Sequence, residues 1–200
     1  MDFLEQKEQD LKRIDKSRKG GIDSRIRPLI DLLNRHESMY TTSSCAGRII
    51  LIAKASKRKD LAKWIYTTHG LGELPKILQA AHEVFVGEYW YKQEGMILHI
   101  RVADLQTGYL ILDCAQRAGF KHSGITGKRK LVLEITSSDK IEALIGVDGT
   151  LIVDDHYFET ITAIANKKQE GNWKKIDAFE RNVKETFFSS GAVASSGQKE

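Results

Sequence analysis

Short apolar runs of strand length alternate along this chain with segments of helical period, and this alternation constrains the fold more than any other feature. Residues 49–53 are a continuous apolar run, and residues 131–135 are nearly so, as in buried strands. Residues 2–15, 104–118 and those from 155 onward place apolar side chains three and four positions apart, as amphipathic helices do. Because the order is not strictly strand–helix–strand, the sequence predicts an α+β (mixed α/β) fold with one central mixed β-sheet covered by helices.

The helical segments carry recognisable boundary signals. Ser24 is expected to cap a second helix, with Pro28 in its first turn, where a missing amide hydrogen costs little. Gly119 suits the left-handed residue that ends the helix over residues 104–118. The apolar stripe of that helix is expected to consist of Leu105, Tyr109, Leu112 and Ala115.

Several predictions concern single positions. We expect a break in the last helical segment near Gly171, because glycine is a poor helix former. Asp148 and Gly149 suit a tight hairpin turn, and residues 96–102 alternate as a strand with one apolar face. Trp64 is expected to lie in the core.

The sequence does not contain the Gly-x-Gly-x-x-Gly loop that announces a Rossmann-type nucleotide site, so we expect a different fold. Residues 1–188 are predicted to form a single domain, followed by a polar tail over residues 189–200. There is no charged-then-apolar leader at Met1 and no apolar run of about 20 residues, which favours a cytoplasmic protein without membrane contact. The two cysteines, Cys45 and Cys114, have no metal-site spacing, so we expect no metal.

Basic residues are unevenly distributed, although the net charge is only +4. Residues 16–35 contain six basic and two acidic side chains, and further basic knots occupy residues 57–59 and 128–130. A solvated surface explains any one of these knots. Three knots beside glycine-bearing loops favour contact with phosphates.

Residues 43–48, with the sequence Ser-Ser-Cys-Ala-Gly-Arg, are the strongest candidate for a functional segment. They precede the apolar strand 49–53 and combine small hydrogen-bonding side chains with a glycine and an arginine. Successive backbone amides can form an anion-binding concavity, and arginine can pair with a carboxylate or phosphate through two parallel hydrogen bonds. On physical grounds alone, a polar turn leading into a core strand explains the segment equally well.

The same segment resembles the Ser-Ser-Cys-x-Gly-Arg signature of the tRNA wybutosine-synthesising protein 3 family. Residues 15–23 are similar to that family's Asp-x-Ser-x-Lys-Gly-x-Ile-Asp segment, and residues 97–99 to its Ile-Leu-His stretch. Residues 119–125 resemble its Gly-Phe-Arg-Asn-Ser-Gly segment, with Lys121 and His122 in place of arginine and asparagine. The resemblances occur in order over residues 10–180 and end in a helix with an Ala-Asn-x-Lys pattern.

The resemblance implies methyl transfer from S-adenosylmethionine to ring nitrogen N-4 of the tricyclic wybutosine precursor. That precursor is made from the guanine 3′ to the anticodon of phenylalanine tRNA, so the expected partner is this tRNA through its anticodon loop. We assign candidate catalytic roles to Asp23 and His99. Candidate cofactor-binding residues are Ser43, Ser44, Cys45, Gly47, Arg48, His122, Ser123 and Gly124. Candidate tRNA-binding residues are Lys16, Arg18, Lys19, Tyr40, Arg58, Lys121 and Lys128.

Individual roles have alternatives. Arg48 is expected to bind a carboxylate or phosphate, and Asp23 to bind an ammonium or ribose, to act as a base, or only to stabilise a turn. His99 is either a general base or a structural histidine. Two other functions compete with methyl transfer: a non-catalytic RNA-binding module, and a small-molecule enzyme that uses Cys45 as nucleophile.

Overall fold

The computed structural model describes residues 2–12, 21–55, 62–127 and 130–189. The helices of this part are α1 (Phe3–Leu11), α2 (Arg27–Arg35), α3 (Leu74–Ala81), α4 (Leu105–Arg117) and α5 (Asp155–Phe188). The strands are β1 (Met39–Cys45), β2 (Arg48–Lys54), β3 (Ala62–Thr68), β4 (Glu88–Glu94), β5 (Ile97–Val102), β6 (Gly124–Ile125), β7 (Val132–Thr136), β8 (Ile141–Val147) and β9 (Thr150–Leu151).

The strands form two antiparallel sheets. The first sheet has the order β1-β5-β7-β6 and the second the order β3-β2-β4-β8-β9. The α+β class is therefore confirmed, as is the absence of a parallel Rossmann sheet, but the prediction of one mixed sheet is wrong. Consecutive strands of the described residues lie in different sheets at three points: β1 and β2, β4 and β5, and β7 and β8. Hydrophobic pattern reveals which face of a strand is buried, and it contains no information about distant pairing partners.

Helix α5 connects the two hydrophobic cores. Its first half packs Phe158, Ile161 and Ala165 against the second sheet, and its second half packs Ile176, Phe179 and Val183 against the first. At about 1.5 Å per residue, its 34 residues span about 50 Å. The predicted break near Gly171 does not occur, because burial on both sides outweighs the roughly 1 kcal/mol that glycine costs within a helix.

The boundaries of the shorter helices confirm some predictions and correct others. Ser24 does not cap α2; the backbone carbonyl of Asp23 accepts the amides of Ile26 and Arg27 instead. Pro28 does lie in the first turn of α2, and Gly119 does take a left-handed conformation after α4, with φ of +100°.

The stripe predicted for α4 is confirmed at Leu112 and Ala115 and is wrong at Leu105 and Tyr109. Leu105 and Tyr109 are 48% and 61% exposed, whereas the face buried against the first sheet and α5 contains Thr107, Gly108, Ile111, Cys114 and Ala115. Small residues let α4 approach closely, so the buried face is not the one with the largest apolar side chains.

Three strands of the second sheet were not predicted, namely β3, β8 and the two-residue β9. β3 has an irregular burial pattern and a register shift opposite β2, which hides its alternation. The predicted turn at Asp148-Gly149 is confirmed, with φ of +46° and +83°. None of the described helices has both the length and the apolar character needed to cross a membrane.

Candidate active site at the crossing between the sheets

The described chain passes between the two sheets three times, and Asn172 of α5 bonds to two of these crossings, the adjacent turns before β2 and before β5. Its Nδ2 donates to the carbonyl of Ala46 and its Oδ1 accepts the amide of Met96, each at 2.8 Å. Gly47 has φ of +92°, and a Cβ there would lie 2.8 Å from the carbonyl oxygen of Glu94. Glycine is therefore required at this position by packing, and residues 43–48 consist of a strand end, a two-residue crossing and a strand start.

Asp23, Cys45 and His69 meet beside this crossing. Asp23 is 6% exposed; its Oδ2 accepts the amide of Ala46 at 3.0 Å and lies 3.5 Å from Nε2 of His69. One donor atom from each of the three side chains lies within 4.8 Å of the other two. Carboxylate, thiolate and imidazole are ligands that Zn²⁺ accepts, so this cluster could hold a metal ion. The expectation that the protein has no metal stays a prediction.

His69 was missed by sequence reasoning. It follows β3, and its backbone carbonyl accepts a hydrogen bond from Gln169 of α5 at 3.2 Å. Its approach to Asp23 depends on how β3 joins the second sheet, and β3 was itself not predicted. A histidine between a threonine and a glycine is not distinctive in sequence.

The thiol of Cys45 is half-buried in this cluster. Burial raises its pKa above the usual value, and the backbone of Gly47 and the charge of Arg48 oppose this effect only in part. The thiol is therefore protonated at neutral pH, which disfavours a nucleophilic role.

Arg48 begins β2 and has two partners. Its Nε donates to Oε2 of Glu94 at 2.6 Å, and its guanidinium carbon lies 4.4 Å from the ring centroid of Trp64. A guanidinium has five N–H donors, so this ion pair orients Arg48 and leaves its fork able to meet a second anion. Trp64, expected in the core, is instead 37% exposed on β3.

Ser43, His99 and Glu134 lie side by side on neighbouring strands of the first sheet. Nδ1 of His99 is 2.7 Å from Oγ of Ser43, and Nε2 is 3.0 Å from Oε2 of Glu134. When Nε2–H donates to the carboxylate, Nδ1 accepts the Ser43 hydroxyl proton. His99 is therefore held in one orientation with a basic nitrogen facing a serine. Glu134 was missed because its proximity to His99 arises from strand register.

Residues 122–124, also predicted to bind the cofactor, lead into the same row of the sheet. Gly124 pairs with Glu134, so Ser43, His99, Glu134 and Gly124 occupy successive strands. A Cβ at Gly124 would meet nothing within 4 Å, so the space beside it is open. At about 4.8 Å between strands, the two ends of this row lie about 14 Å apart.

The remaining residues of that loop differ in their surroundings. The Ser123 hydroxyl donates to the carbonyl of Phe120 at 2.8 Å and accepts the amide of Thr136 at 3.3 Å, so it ties the loop to β7. Lys121 and His122 are exposed, in keeping with the contacts predicted for them.

Tyr40 cannot stack on a tRNA base, so this predicted contact is wrong. It is 1% exposed, its ring packs on Phe3 of α1, and its hydroxyl donates to Oδ2 of Asp10 at 2.8 Å. Burial, followed by the Asp10 hydrogen bond, raises the pKa of Tyr40 to about 12. Lys16, Arg18, Lys19, Arg58 and Lys128, also predicted to contact tRNA, lie outside the described residues.

Comparison with known proteins gives concordant results. The sequence model of a family described as "Methyltransferase TYW3" matches residues 5–185. A bovine (Bos taurus) tRNA wybutosine-synthesizing protein 3 homolog is 35% identical over 184 residues, covering 89% of this chain and 71% of the relative. A Pyrococcus abyssi protein named tRNA(Phe) 7-((3-amino-3-carboxypropyl)-4-demethylwyosine(37)-N(4))-methyltransferase 1 is 33% identical, covering 84% of this chain and 88% of its own. The solved structure of the PH1069 protein from Pyrococcus horikoshii superposes with a TM-score of 0.77 at 31% identity, covering 83% of this chain and 87% of that one.

Proposed function

This chain belongs to the TYW3 family of methyltransferases, and on that basis we propose that it methylates N-4 of the wybutosine precursor in phenylalanine tRNA with S-adenosylmethionine as methyl donor. The match of the family over residues 5–185 carries the proposal. The named reaction of the Pyrococcus abyssi relative gives the substrate and the nitrogen. The positions of Ser43, Arg48 and His99 around one sheet crossing support it.

The side chains at the crossing suit the chemistry of S-adenosylmethionine, which supplies an electrophilic methyl group on a sulfonium when bound. The amino acid end of that molecule has a carboxylate and an ammonium. Arg48 would hold the carboxylate, with help from the hydroxyl of Ser44, and Asp23 would hold the ammonium. The Ser43 hydroxyl is already engaged with His99 and would contribute to the pocket through its position. Cys45 and Gly47 would shape the pocket through their small size, and the open space beside Gly124 gives room for the rest.

His122 and Ser123 remain candidate contacts at the far end of the row. The exposed imidazole of His122 is the stronger of the two, because the hydroxyl of Ser123 already has two backbone partners. Lys121 would contact a phosphate.

The acceptor nitrogen loses a proton as it gains a methyl group, so a base must lie nearby. We assign that role to His99: Nδ1 accepts the proton through the Ser43 hydroxyl, and the Glu134 carboxylate fixes the ring tautomer. The rest of the rate enhancement comes from orientation of the two reactants, which rigid backbone at the crossing provides. Asp23 contributes to that rigidity through its bond to the Ala46 amide.

Arg48→Lys should be nearly as harmful to methyl transfer as Arg48→Ala. The hydrogen bond to Glu94 and the contact with Trp64 orient the planar guanidinium of Arg48, which can make two parallel hydrogen bonds to an anion. The ammonium group of a lysine cannot replace this geometry. Methyl incorporation into tRNA from cells that lack this gene, and calorimetric binding of S-adenosylmethionine, are measured together. Arg117→Lys is the matched control, since its Nε also donates to a carboxylate, that of Asp113 at 2.9 Å, away from the crossing.

The outcomes separate the alternatives. Substantial methylation by Arg48→Lys would mean that Arg48 acts only through its charge. Wild-type protein that binds tRNA without binding S-adenosylmethionine would contradict the proposal and favour a non-catalytic RNA-binding module.

A further inference from the structure

We propose that the outer side of the second sheet binds unpaired nucleotides of the anticodon loop, a step that rests on the function proposed above. This surface, the tryptophan face, comprises Arg48, Lys54, Trp64, Trp90 and Lys92. The inner side of the same strands packs against α3 and α5 through Leu51, Tyr91 and their neighbours. The tryptophan face is therefore the side of the sheet turned away from both helices.

The two tryptophans lie in one row across the sheet. Ile52 of β2 pairs with Trp64 of β3 on one side and with Trp90 of β4 on the other. Ile52 is nevertheless only 7% exposed, so large side chains cover it. Two strand spacings separate the tryptophans by about 10 Å. The two indole rings and Ile52 form one row, and Trp64 is 37% exposed in it.

Cations border both rings. The guanidinium of Arg48 lies 4.4 Å from the Trp64 centroid, and the ammonium groups of Lys54 and Lys92 lie 5.4 and 5.6 Å from the Trp90 centroid. Burial lowers the pKa of Lys54, and the like charge of Lys92 lowers it further. A phosphate beside both ammonium groups would relieve this repulsion, since an anion favours the charged form of each.

Carboxylates on this face are engaged with the same side chains. Glu94 holds Arg48, Glu142 pairs with Lys92, and Glu88 accepts the indole N–H of Trp90 at 2.9 Å. The face is thus not a simple basic patch suited to any polyanion. Indole rings alternating with cations match the alternation of bases and phosphates in a single strand, where each stacked base contributes about 1–3 kcal/mol.

The position of Arg48 favours RNA from the substrate over another partner. Arg48 belongs both to the tryptophan face and to residues 43–48 at the sheet crossing, so a strand on this face would continue into the proposed active site. Tyr40, Tyr89 and Tyr91 are at most 1% exposed and cannot stack on a base, whereas Trp64 is 37% exposed and Trp90 is half-buried.

The test compares two RNA probes by fluorescence titration: an unmodified anticodon stem–loop of phenylalanine tRNA, and a blunt duplex with the same stem and no loop. Trp90→Leu should weaken stem–loop binding about ten-fold, and Trp90→Phe should retain most of the affinity because phenylalanine still stacks. Trp64→Leu and Trp64→Phe should behave alike. Duplex binding should change little in all four variants.

Lys54→Gln should reduce the slope of log K against log salt by about 0.7, the value for one phosphate contact in a single strand. The matched control is Lys76→Gln, an exposed lysine of α3 paired with Glu73 at 2.8 Å and away from the tryptophan face. S-adenosylmethionine binding by Trp90→Phe and Lys54→Gln should match that of wild type.

Unchanged stem–loop affinity in both leucine variants, or an equal loss for stem–loop and duplex, would overturn the role of the tryptophan face and leave the proposed function intact. Wild-type protein that binds neither probe, in a preparation that binds S-adenosylmethionine, would overturn both.

Discussion

At the scale of single residues, the surroundings of Cys45 disfavour a mechanism in which its thiolate attacks the substrate. Its thiol lies near Arg48, which favours a thiolate, and near Asp23 and Glu94, which oppose it, but burial is the largest influence and raises its pKa. Methylation of a ring nitrogen needs no covalent activation, because the nitrogen already has a lone pair to donate once its proton is removed. The residue therefore contributes size and packing at the crossing.

Cys45→Ala and Cys45→Ser should keep measurable methyl transfer, reduced about ten-fold by looser positioning, whereas Cys45→Leu should lose far more by filling the pocket. Cys114→Ala, which removes the buried cysteine of α4, is the matched control for loss of a thiol. Denaturing electrophoresis of enzyme mixed with tRNA and cofactor tests for a covalent complex. A stable protein–tRNA adduct that disappears in Cys45→Ala would place the protein in another reaction class.

Between elements, two of the asparagines of α5, Asn166 and Asn172, bond to backbone groups of loops near the proposed site. Asn172 bonds two of the three sheet crossings, and Asn166 bonds both the amide and the carbonyl of Gly72, at 2.7 and 3.0 Å. The two side chains use the same atoms, but Asn172 is buried and Asn166 is half-buried. Loss of the Asn172 side chain should therefore lower the free energy of unfolding more than loss of the Asn166 side chain.

Asn172→Ala should lower the free energy of unfolding by about 2–4 kcal/mol, because it leaves two buried backbone groups without partners. Asn166→Ala should cost about 1 kcal/mol, since water can replace its bonds. Melting temperatures of the two variants give the comparison directly. Equal losses would show that Asn172 does not hold the crossings.

Gly171→Ala should raise the free energy of unfolding by about 0.5–1 kcal/mol. Gly171 lies inside the continuous helix α5, and a Cβ there would meet nothing within 4 Å. Gly47→Ala is the contrasting substitution, since its positive φ and close contacts forbid a side chain, and it should be strongly destabilising. A destabilised Gly171→Ala would mean that α5 bends at this point in solution.

Local pattern predicted the elements whose burial follows a simple period. β5 alternates between the buried Leu98 and Ile100 and the less buried His99, and the sequence predicted this strand from the same alternation. β3 was not predicted, because the register shift opposite β2 breaks its alternation of buried and exposed residues. Candidate site residues could be predicted where small hydrogen-bonding side chains, a glycine and an arginine occur together in one short segment, as in residues 43–48. His69 and Glu134 come close to Asp23 and His99 only through sheet pairing, and single-sequence pattern does not encode such distant contacts.

At the scale of the whole molecule, two sheets share one long helix, and the proposed site lies where the chain passes between them. Asp23 and the turn at Gly47 lie at the crossing, the His99 row extends along the first sheet, and the tryptophan face extends along the second. Under the two proposals above, the cofactor and the RNA would occupy separate surfaces that meet at Arg48.

The most direct test is a methylation assay on tRNA isolated from cells that lack this gene. Purified protein is incubated with that tRNA and S-adenosylmethionine, and the nucleoside 3′ to the anticodon is analysed by mass spectrometry. The wybutosine precursor should gain the mass of one methyl group, located at N-4 by fragmentation, in a reaction that His99→Ala strongly reduces. An unchanged precursor in the presence of folded wild-type protein that binds both tRNA and S-adenosylmethionine, or a methyl group at another atom, would contradict the proposed function.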